Sequence, residues 1–161
     1  KESDYLLYLV DELSESKFPH EIPNTFVNAQ LQVEKLAEIM SKVKKSMKVL
    51  KNLAYMEMLD SGASGAVNFV LGFSGKNTGI AYKERVDKGI YAVSVRGSSS
   101  CKIHLGRLVS SVSAKFGGSG GGHDKACGAV IPKNNMKKFL REMNLRLGRA
   151  VTAKLYPAHS K

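Results

Sequence analysis

The stretch of this chain best suited to binding a ligand runs from Phe116 to Pro132 and reads FGGSGGGHDKACGAVIP. Five glycines and one serine stand between Phe116 and His123, so this segment has few side chains with which to pack a core. Glycine lets a ligand approach backbone N–H groups closely, and successive N–H groups turned inward form a concavity that suits anions. The run therefore predicts an anion-binding site with the imidazole of His123 at its rim. The alternative is a flexible loop that carries a solvent-exposed histidine.

Phosphate is the anion that the surrounding charges favour, because guanidinium and ammonium groups bind its oxygens well. The nearby cations are Arg96, Lys102, Arg107 and Lys125. The usual nucleotide motifs do not fit the run. A P-loop requires lysine and then serine or threonine after its last glycine, whereas here Gly122 is followed by His123 and Asp124. A GxGxxG motif with its ribose-binding acid cannot be laid over the run either.

A metal site is a second interpretation of the same region. Cys101 and His104 form a C-x2-H motif, and His123 and Cys127 form an H-x3-C motif. All four residues are of types that bind zinc. Cys127, however, lies in an apolar segment that predicts a strand, where cysteine usually serves as a small hydrophobic residue. The sequence has no HExxH motif, no two-metal cluster and no Ser/His/Asp set, so no catalytic residue is predicted in this chain.

The composition favours an anionic partner. The 161 residues carry 25 Lys and Arg against 14 Asp and Glu, a formal net charge of +11, which favours nucleic acid, nucleotides or phosphorylated metabolites over a membrane surface. Two cysteines and no signal-like apolar segment predict a cytoplasmic protein without disulfides. No stretch approaches the length of a membrane span. The chain begins at Lys1 without a methionine, so the interpretation that it is an excised part of a longer protein stays open.

The first third of the chain is predicted to be helical. Apolar residues recur at helical spacing from Ser3 to about Ser16, and a connector with Pro19 and Pro23 is expected to be extended. A long amphipathic helix follows from about Thr25 to Leu50. Its lysines form either a solvated helix face or a basic flank for a polyanion.

The remaining residues predict helices that alternate with short strands. Strands are expected at 53–59, 80–85, 90–96 and 126–131, and helices at 105–116 and from about Asn134 or Asn135 to Leu147. Residues 63–73 stay open: their valines and phenylalanines suit a strand, whereas the small residues at the start, with Ser61 or Ser64 as cap, favour a helix. The strands at 80–85 and 90–96 are joined by VDKG, a hairpin-like connection. Together these elements predict an α/β fold in which a mixed sheet of about four to five strands packs with helices. An α+β fold stays open as the alternative.

Two motifs resemble those of a known family. The strand ending Val93-Ser94-Val95-Arg96-Gly97-Ser98 is followed by a helix and then by GGSGGGHDKACGA. This order is similar to that of the C-terminal DHH-associated domain of the DHH-family phosphoesterases, which include RecJ-type exonucleases, NrnA-type oligoribonucleases and cyclic-dinucleotide phosphodiesterases. The resemblance covers roughly 51–147, and the long helix before it resembles the connector between the catalytic and substrate domains of that family. Histidine at position 123 speaks against the related C-terminal domain of alanyl-tRNA synthetase.

The resemblance implies a division of the chain and a set of ligand-binding residues. Residues 1–50 would be a helical segment with the connector helix, 51–149 the DHH-associated substrate-binding domain, and 150–161 a flexible tail. The residues implied to hold substrate phosphate and sugar are Arg96, Ser98, Gly120, Gly121, Gly122, His123 and Lys125. For Arg96 an alternative stays open, in which it pairs with Glu84 or Asp87 on the neighbouring strand.

The resemblance also implies partners that this chain does not contain. The Asp-His-His catalytic domain is missing, so the Mn or Mg that it implies would be bound there, no cofactor would be bound by this chain, and the chain alone would be inactive. Expected partners are single-stranded or short nucleic acid or a nucleotide, and the N-terminal DHH catalytic domain; a homodimer stays open. The identity of the substrate stays open among DNA, short RNA, a phosphorylated adenosine nucleotide and a cyclic dinucleotide. The alternative function is a stand-alone basic nucleic-acid-binding or assembly module.

Overall fold

The computed structural model of this chain describes residues 2–15, 17–59 and 62–155, with the side chains of 2, 3 and 150–155 left out. Contacts divide the chain into two compact units, Lys1–Ile39 and Met40–Lys161. None of the described helices is both long enough and apolar enough to cross a lipid bilayer.

The first unit is helical, as predicted. It contains helix α1 (Glu2–Ser14), a short 3-10 turn (Pro19–Glu21) and the first part of helix α2 (Thr25–Ser46). The 3-10 turn replaces part of the extended connector that the two prolines suggested. Ser16, where the first helix was expected to end, lies outside the described residues. The hydroxyl of Tyr5 in α1 donates a hydrogen bond to the Pro23 carbonyl at 3.4 Å, which ties this helix to the connector.

The second unit is built on one six-stranded mixed sheet in the order β1-β2-β3-β4-β6-β5. The strands are β1 (Lys48–Val49), β2 (Ala54–Met58), β3 (Thr78–Arg85), β4 (Ile90–Gly97), β5 (Ser119–Gly122) and β6 (Ala126–Pro132). Strands β2 and β3 pair in parallel, and all other neighbours are antiparallel. The predicted α/β class and mixed sheet are confirmed, with six strands instead of four to five. Helix α2 ends before the predicted Leu50 because the next residues form β1.

Helices cover both faces of this sheet, but not equally. Helix α3 (Ala63–Ser74) connects the parallel strands β2 and β3, while α4 (Leu105–Lys115) and α5 (Met136–Leu155) pack together on the other face. The core between the sheet and this helix pair includes Ile80, Val93, Val95, Val109, Ile131, Phe139 and Met143. Gly79 alternates with Ile80 and therefore faces the opposite way. A Cβ atom on Gly79 would lie 2.9 Å from the Leu71 amide nitrogen of α3, so we call this side of the sheet the α3 face.

The α3 face is only partly covered. Helix α3 contacts β2, β3 and β4, but the part of the face formed by β6 and β5 lies beyond it. The residues there are half-buried or exposed and mostly small: Ala126, Gly128, Ser119 and Gly121, with Ser94 of β4 beside them. A sheet face that is floored by small residues and not covered by a helix is open to a ligand.

The last helix extends further than expected. Helix α5 runs to Leu155, so the backbone of 150–155 is helical. The rest of the segment that was predicted to be a flexible tail, 156–161, lies outside the described residues.

Candidate phosphate-binding site

The glycine run forms the edge strand of the sheet, so the expected concavity of inward-turned N–H groups is wrong in its geometry. Strand β5 pairs with β6 in antiparallel register, with Gly121 opposite Gly128 and Gly122 opposite Cys127. Glycine is depleted in strands, but it accepts strand pairing where the fold supplies a partner. No further strand pairs with β5 in the described part of the chain, so one of its backbone edges has no partner strand.

Close packing explains most of the glycines in β5. A Cβ atom on Gly120 would lie 2.8 Å from Ser113 Oγ, and one on Gly122 would lie 2.7 Å from the Ala126 carbonyl oxygen. Gly122 also has a φ of 131°, a backbone conformation that residues other than glycine rarely adopt. Gly121 differs, because a Cβ atom there would meet nothing within 4 Å and its φ is not positive. Packing therefore does not explain the missing side chain of Gly121, which leaves open space beside the strand.

Arg96 lies near the end of β4 on the α3 face. Its cross-strand neighbours are two residues without bulk, Gly79 in β3 and Ala126 in β6. The side chain is half-buried, and Nη1 donates a hydrogen bond to the Val95 carbonyl oxygen at 3.1 Å. Among the described residues no carboxylate forms an ion pair with this guanidinium. Its positive charge is therefore available to an anion.

The alternative pairing of Arg96 with Glu84 or Asp87 is wrong. Glu84 lies opposite Tyr91 at the other end of the β3–β4 hairpin, and its carboxylate binds Lys133 at 2.5 Å. Asp87 belongs to the 3-10 turn Val86–Lys88, which joins the two strands at that same remote end.

His123 lies at the same end of the sheet as Arg96. Its backbone N–H donates to the Ala126 carbonyl at 2.9 Å, and its own carbonyl accepts a hydrogen bond from the Gly106 N–H of α4 at 3.0 Å. Ala126 is paired with both Arg96 and His123, so the two residues are separated by one intervening strand, about 10 Å at the backbone. The side chain of His123 is exposed.

Ser98 and Lys125 are at this end of the sheet too, but their polar groups already have partners. The Ser98 hydroxyl donates to Asn77 Oδ1 at 2.9 Å, and its N–H donates to the Asn77 carbonyl at 3.0 Å. The ammonium group of Lys125 donates to the Cys101 carbonyl, and the Lys125 carbonyl accepts from the Gly97 N–H at 2.9 Å. These two side chains hold the segment after β4 in place. Asn77, which nothing in the sequence pattern indicated, joins the same cluster.

The four residues of the zinc interpretation do not assemble into a ligand set. Cys101 and Cys127 are buried as free thiols. His104 is the N-cap of α4, where its Nδ1 accepts the Arg107 N–H at 3.3 Å. Across the described residues, no group of three or more His, Cys, Asp or Glu side chains is arranged to hold a metal ion.

Cys127 is expected to be unreactive in the folded protein. Burial raises the pKa of its thiol to about 11, and the nearby charge of Arg96 opposes this shift without cancelling it. At pH 8 only about one thiol in a thousand would then be the reactive thiolate. We expect iodoacetamide at pH 8 to label Cys127 at least about tenfold more slowly in the native protein than in urea, measured by peptide mass spectrometry. Equal labelling rates in both states would contradict this burial.

A groove of about 730 Å³ extends along the α3 face away from Arg96. Its described lining includes the start of α3, two cations at the carboxyl end of β3, and small residues of β4, β5 and β6. These residues are Gly62, Ala63, Ser64, Lys83, Arg85, Ala92, Val93, Ser94, Ser119, Gly120, Gly128, Ala129 and Val130. Lys83 and Arg85 were not identified from the sequence, because only the register of the sheet brings them to the same face as Arg96.

Comparison with solved structures shows the fold. The pGpG-specific phosphodiesterase PggH from Vibrio cholerae superposes with a TM-score of 0.69 at 15% identity, covering 92% of this chain and 51% of its own. An exopolyphosphatase-related protein from Bacteroides fragilis gives a TM-score of 0.59 at 21% identity, covering 90% of this chain and 43% of its own. This chain thus spans about half the length of these two proteins. Among curated proteins none matches the chain.

The C-Ala domain of alanyl-tRNA synthetase from Aquifex aeolicus shares the fold as well, with a TM-score of 0.52 at 9% identity over 63% of this chain and 97% of its own. The likeness covers the fold alone and does not bear on His123. The family itself is shown by sequence: residues 39–149 match the DHHA1 domain. The predicted resemblance to the DHH-associated domain is therefore confirmed, and this chain belongs to the DHHA1 domain family.

Proposed function

We propose that this chain is the substrate-binding part of a DHH-type phosphoesterase and that it binds a phosphate group of a short or single-stranded nucleic acid or of a nucleotide. The observation that carries the proposal is the open space at Gly121, on a sheet end where Arg96 has no carboxylate partner among the described residues. The Arg96 guanidinium would bind two phosphate oxygens, and His123 would add a hydrogen bond or a charge. Gly121 would let the phosphate approach the strand backbone.

In this proposal the chain positions the substrate and does not cleave it. The described residues supply no cluster of metal ligands, so the Mn or Mg expected for this family would be bound by a separate N-terminal catalytic domain. Holding the phosphate in a fixed place would bring the scissile bond to those ions with little loss of entropy at the reaction step. The greater length of PggH, which its description calls a phosphodiesterase, agrees with a second domain.

The helical unit Lys1–Ile39 is the surface that we propose for contact with that domain. Several of its large apolar side chains are strongly exposed, among them Leu7 at 67%, Phe26 at 72% and Val33 at 64%. In this proposal these side chains are buried against the catalytic domain, because exposed apolar patches commonly mark interfaces between proteins or domains.

The binding proposal is tested by titrating the chain with a short 5′-phosphorylated single-stranded oligonucleotide at two salt concentrations. Arg96→Ala is expected to weaken binding about tenfold, since a charge-assisted hydrogen bond contributes roughly 1.5–3 kcal/mol. His123→Ala is expected to weaken it several-fold. Unchanged affinity in both variants would refute the proposal.

The competing function is a basic nucleic-acid-binding module that has no defined phosphate site. The net charge of +11 favours it, together with exposed lysines and arginines on α5 such as Lys137, Lys138 and Arg141. In that case affinity would fall steeply with salt but would not depend on His123. Loss of binding on the single change His123→Ala therefore favours the phosphate-site proposal.

A further inference from the structure

The groove on the α3 face has its own pair of cations, well away from Arg96. Lys83 is half-buried and Arg85 is exposed, and both line the groove at the carboxyl end of β3. Neither side chain has an ion-pair partner among the described residues. Glu84, which lies between them in sequence, faces the other side of the sheet and binds Lys133. Glu84 therefore does not neutralise the charges of Lys83 and Arg85.

The floor of the groove connects these cations to Arg96. Ser94 lies between Ala92 and Arg96 along β4 on the α3 face, and it pairs with Gly128, which in turn pairs with Gly121. No large side chain of β4, β5 or β6 rises from this part of the floor except Val130 at its margin. Ser64, Ser94 and Ser119 are among the residues that line the groove, and a serine hydroxyl is able to donate a hydrogen bond. A ligand chain could lie along this floor without displacing protein atoms.

The groove cations and Arg96 lie toward opposite ends of β3, because Arg96 pairs with Gly79 whereas Arg85 pairs with Ile90. Strands β2 and β3 are the parallel pair here, and Lys83 and Arg85 stand where β3 ends. Lys83 lies opposite Ala92, four residues before Arg96 on β4. At roughly 3.3 Å per residue, Lys83 in the groove and Arg96 beyond it are separated by about 13 Å along the sheet.

We infer that Lys83 and Arg85 form a second phosphate subsite, so that the ligand is a single-stranded chain of more than one nucleotide laid along the α3 face. This inference rests on the proposed function, which assigns the first phosphate to Arg96 and His123. A mononucleotide would reach only the first subsite. An oligonucleotide would reach both, and its affinity would grow with length until the groove is filled.

The test compares two probes on the full chain by calorimetric titration: deoxyadenosine 5′-monophosphate and a 5′-phosphorylated deoxyadenosine tetranucleotide. The double variant Lys83→Ala/Arg85→Ala is expected to weaken tetranucleotide binding about tenfold and to lower its salt slope by about 1.4, the value for two lost phosphate contacts on a single strand. Binding of the mononucleotide is expected to change less than twofold. A Lys83→Gln/Arg85→Gln variant, which keeps most of both stems, is expected to give the same result.

The matched control is Lys137→Ala/Arg141→Ala, which removes the same charge from α5 on the opposite side of the sheet. Tetranucleotide binding that weakens no more in the groove variant than in this control would overturn the second subsite, and so would an equal loss for both probes. A failure of the proposed function looks different, because Arg96→Ala would then leave the affinity for both probes unchanged.

Discussion

Replacement of Gly106 by alanine is expected to lower the free energy of unfolding by about 1–3 kcal/mol, the usual cost of overpacking. Gly106 lies in the first turn of α4, where β5 approaches the helix. An added Cβ atom would overlap the Gly122 carbonyl oxygen and lie 2.6 Å from its carbonyl carbon. Backbone atoms cannot rotate away, so the helix or the strand must shift. Elsewhere in a helix the same change would stabilise by roughly 0.5–1 kcal/mol.

Thermal unfolding followed by circular dichroism measures this effect, and in a chain of this size each kcal/mol shifts the midpoint by about 2–4 °C. The matched control is Gly72→Ala, at an exposed position of α3 where a Cβ atom meets nothing within 4 Å. We expect its midpoint to stay level or to rise. A Gly106→Ala midpoint at or above that of the wild type would mean that α4 and β5 are not in such close contact.

Side-chain periodicity was sufficient to predict most of the fold. Helices α1 and α4 and strands β2, β3, β4 and β6 carry apolar residues at helical or alternating spacing, and each was located within a few residues. For α3 the apolar residues also suited a strand, and only the small residues at its start favoured the helix that forms. Strand β5 was missed because its residues, SGGG, show no alternation of apolar and polar side chains. It forms because β6 and α4 provide hydrogen-bond partners and a close-packed wall, both of which are tertiary effects. Strand β1 has two residues, too few for any period.

The candidate site was predictable only in part, for a related reason. The sequence indicated Arg96 and His123 through their residue types and the motifs around them, and cross-strand register then brought both to one end of the sheet. Residue type could not reveal that the Lys125 ammonium is bound to the Cys101 carbonyl. Nor could it identify Lys83, which reaches the groove only because β3 pairs with β4.

Close packing explains Gly120 and Gly122 of β5, but it does not explain Gly121. Replacement of Gly121 is therefore the prediction with the largest effect on binding. Gly121→Val is expected to weaken binding of a 5′-phosphorylated oligonucleotide by about a hundredfold. A branched side chain there would keep the phosphate from the backbone and from Arg96, and losing two such contacts at roughly 1.5 kcal/mol each accounts for that factor. The fold should tolerate the change, because a Cβ atom meets nothing within 4 Å and valine favours strands.

In this variant we expect the affinity to fall while the thermal stability does not. This outcome distinguishes a role of Gly121 in ligand binding from a role in folding. Calorimetric titration is expected to show the loss of affinity while the thermal midpoint stays level or rises. Gly72→Val supplies the matched control, since it adds the same side chain at another glycine with open surroundings and should leave oligonucleotide affinity unchanged. If Gly121→Val unfolds the protein, the strand needs glycine for packing after all. If it binds like the wild type, the phosphate does not approach β5, and the open space beside Gly121 is not part of the site.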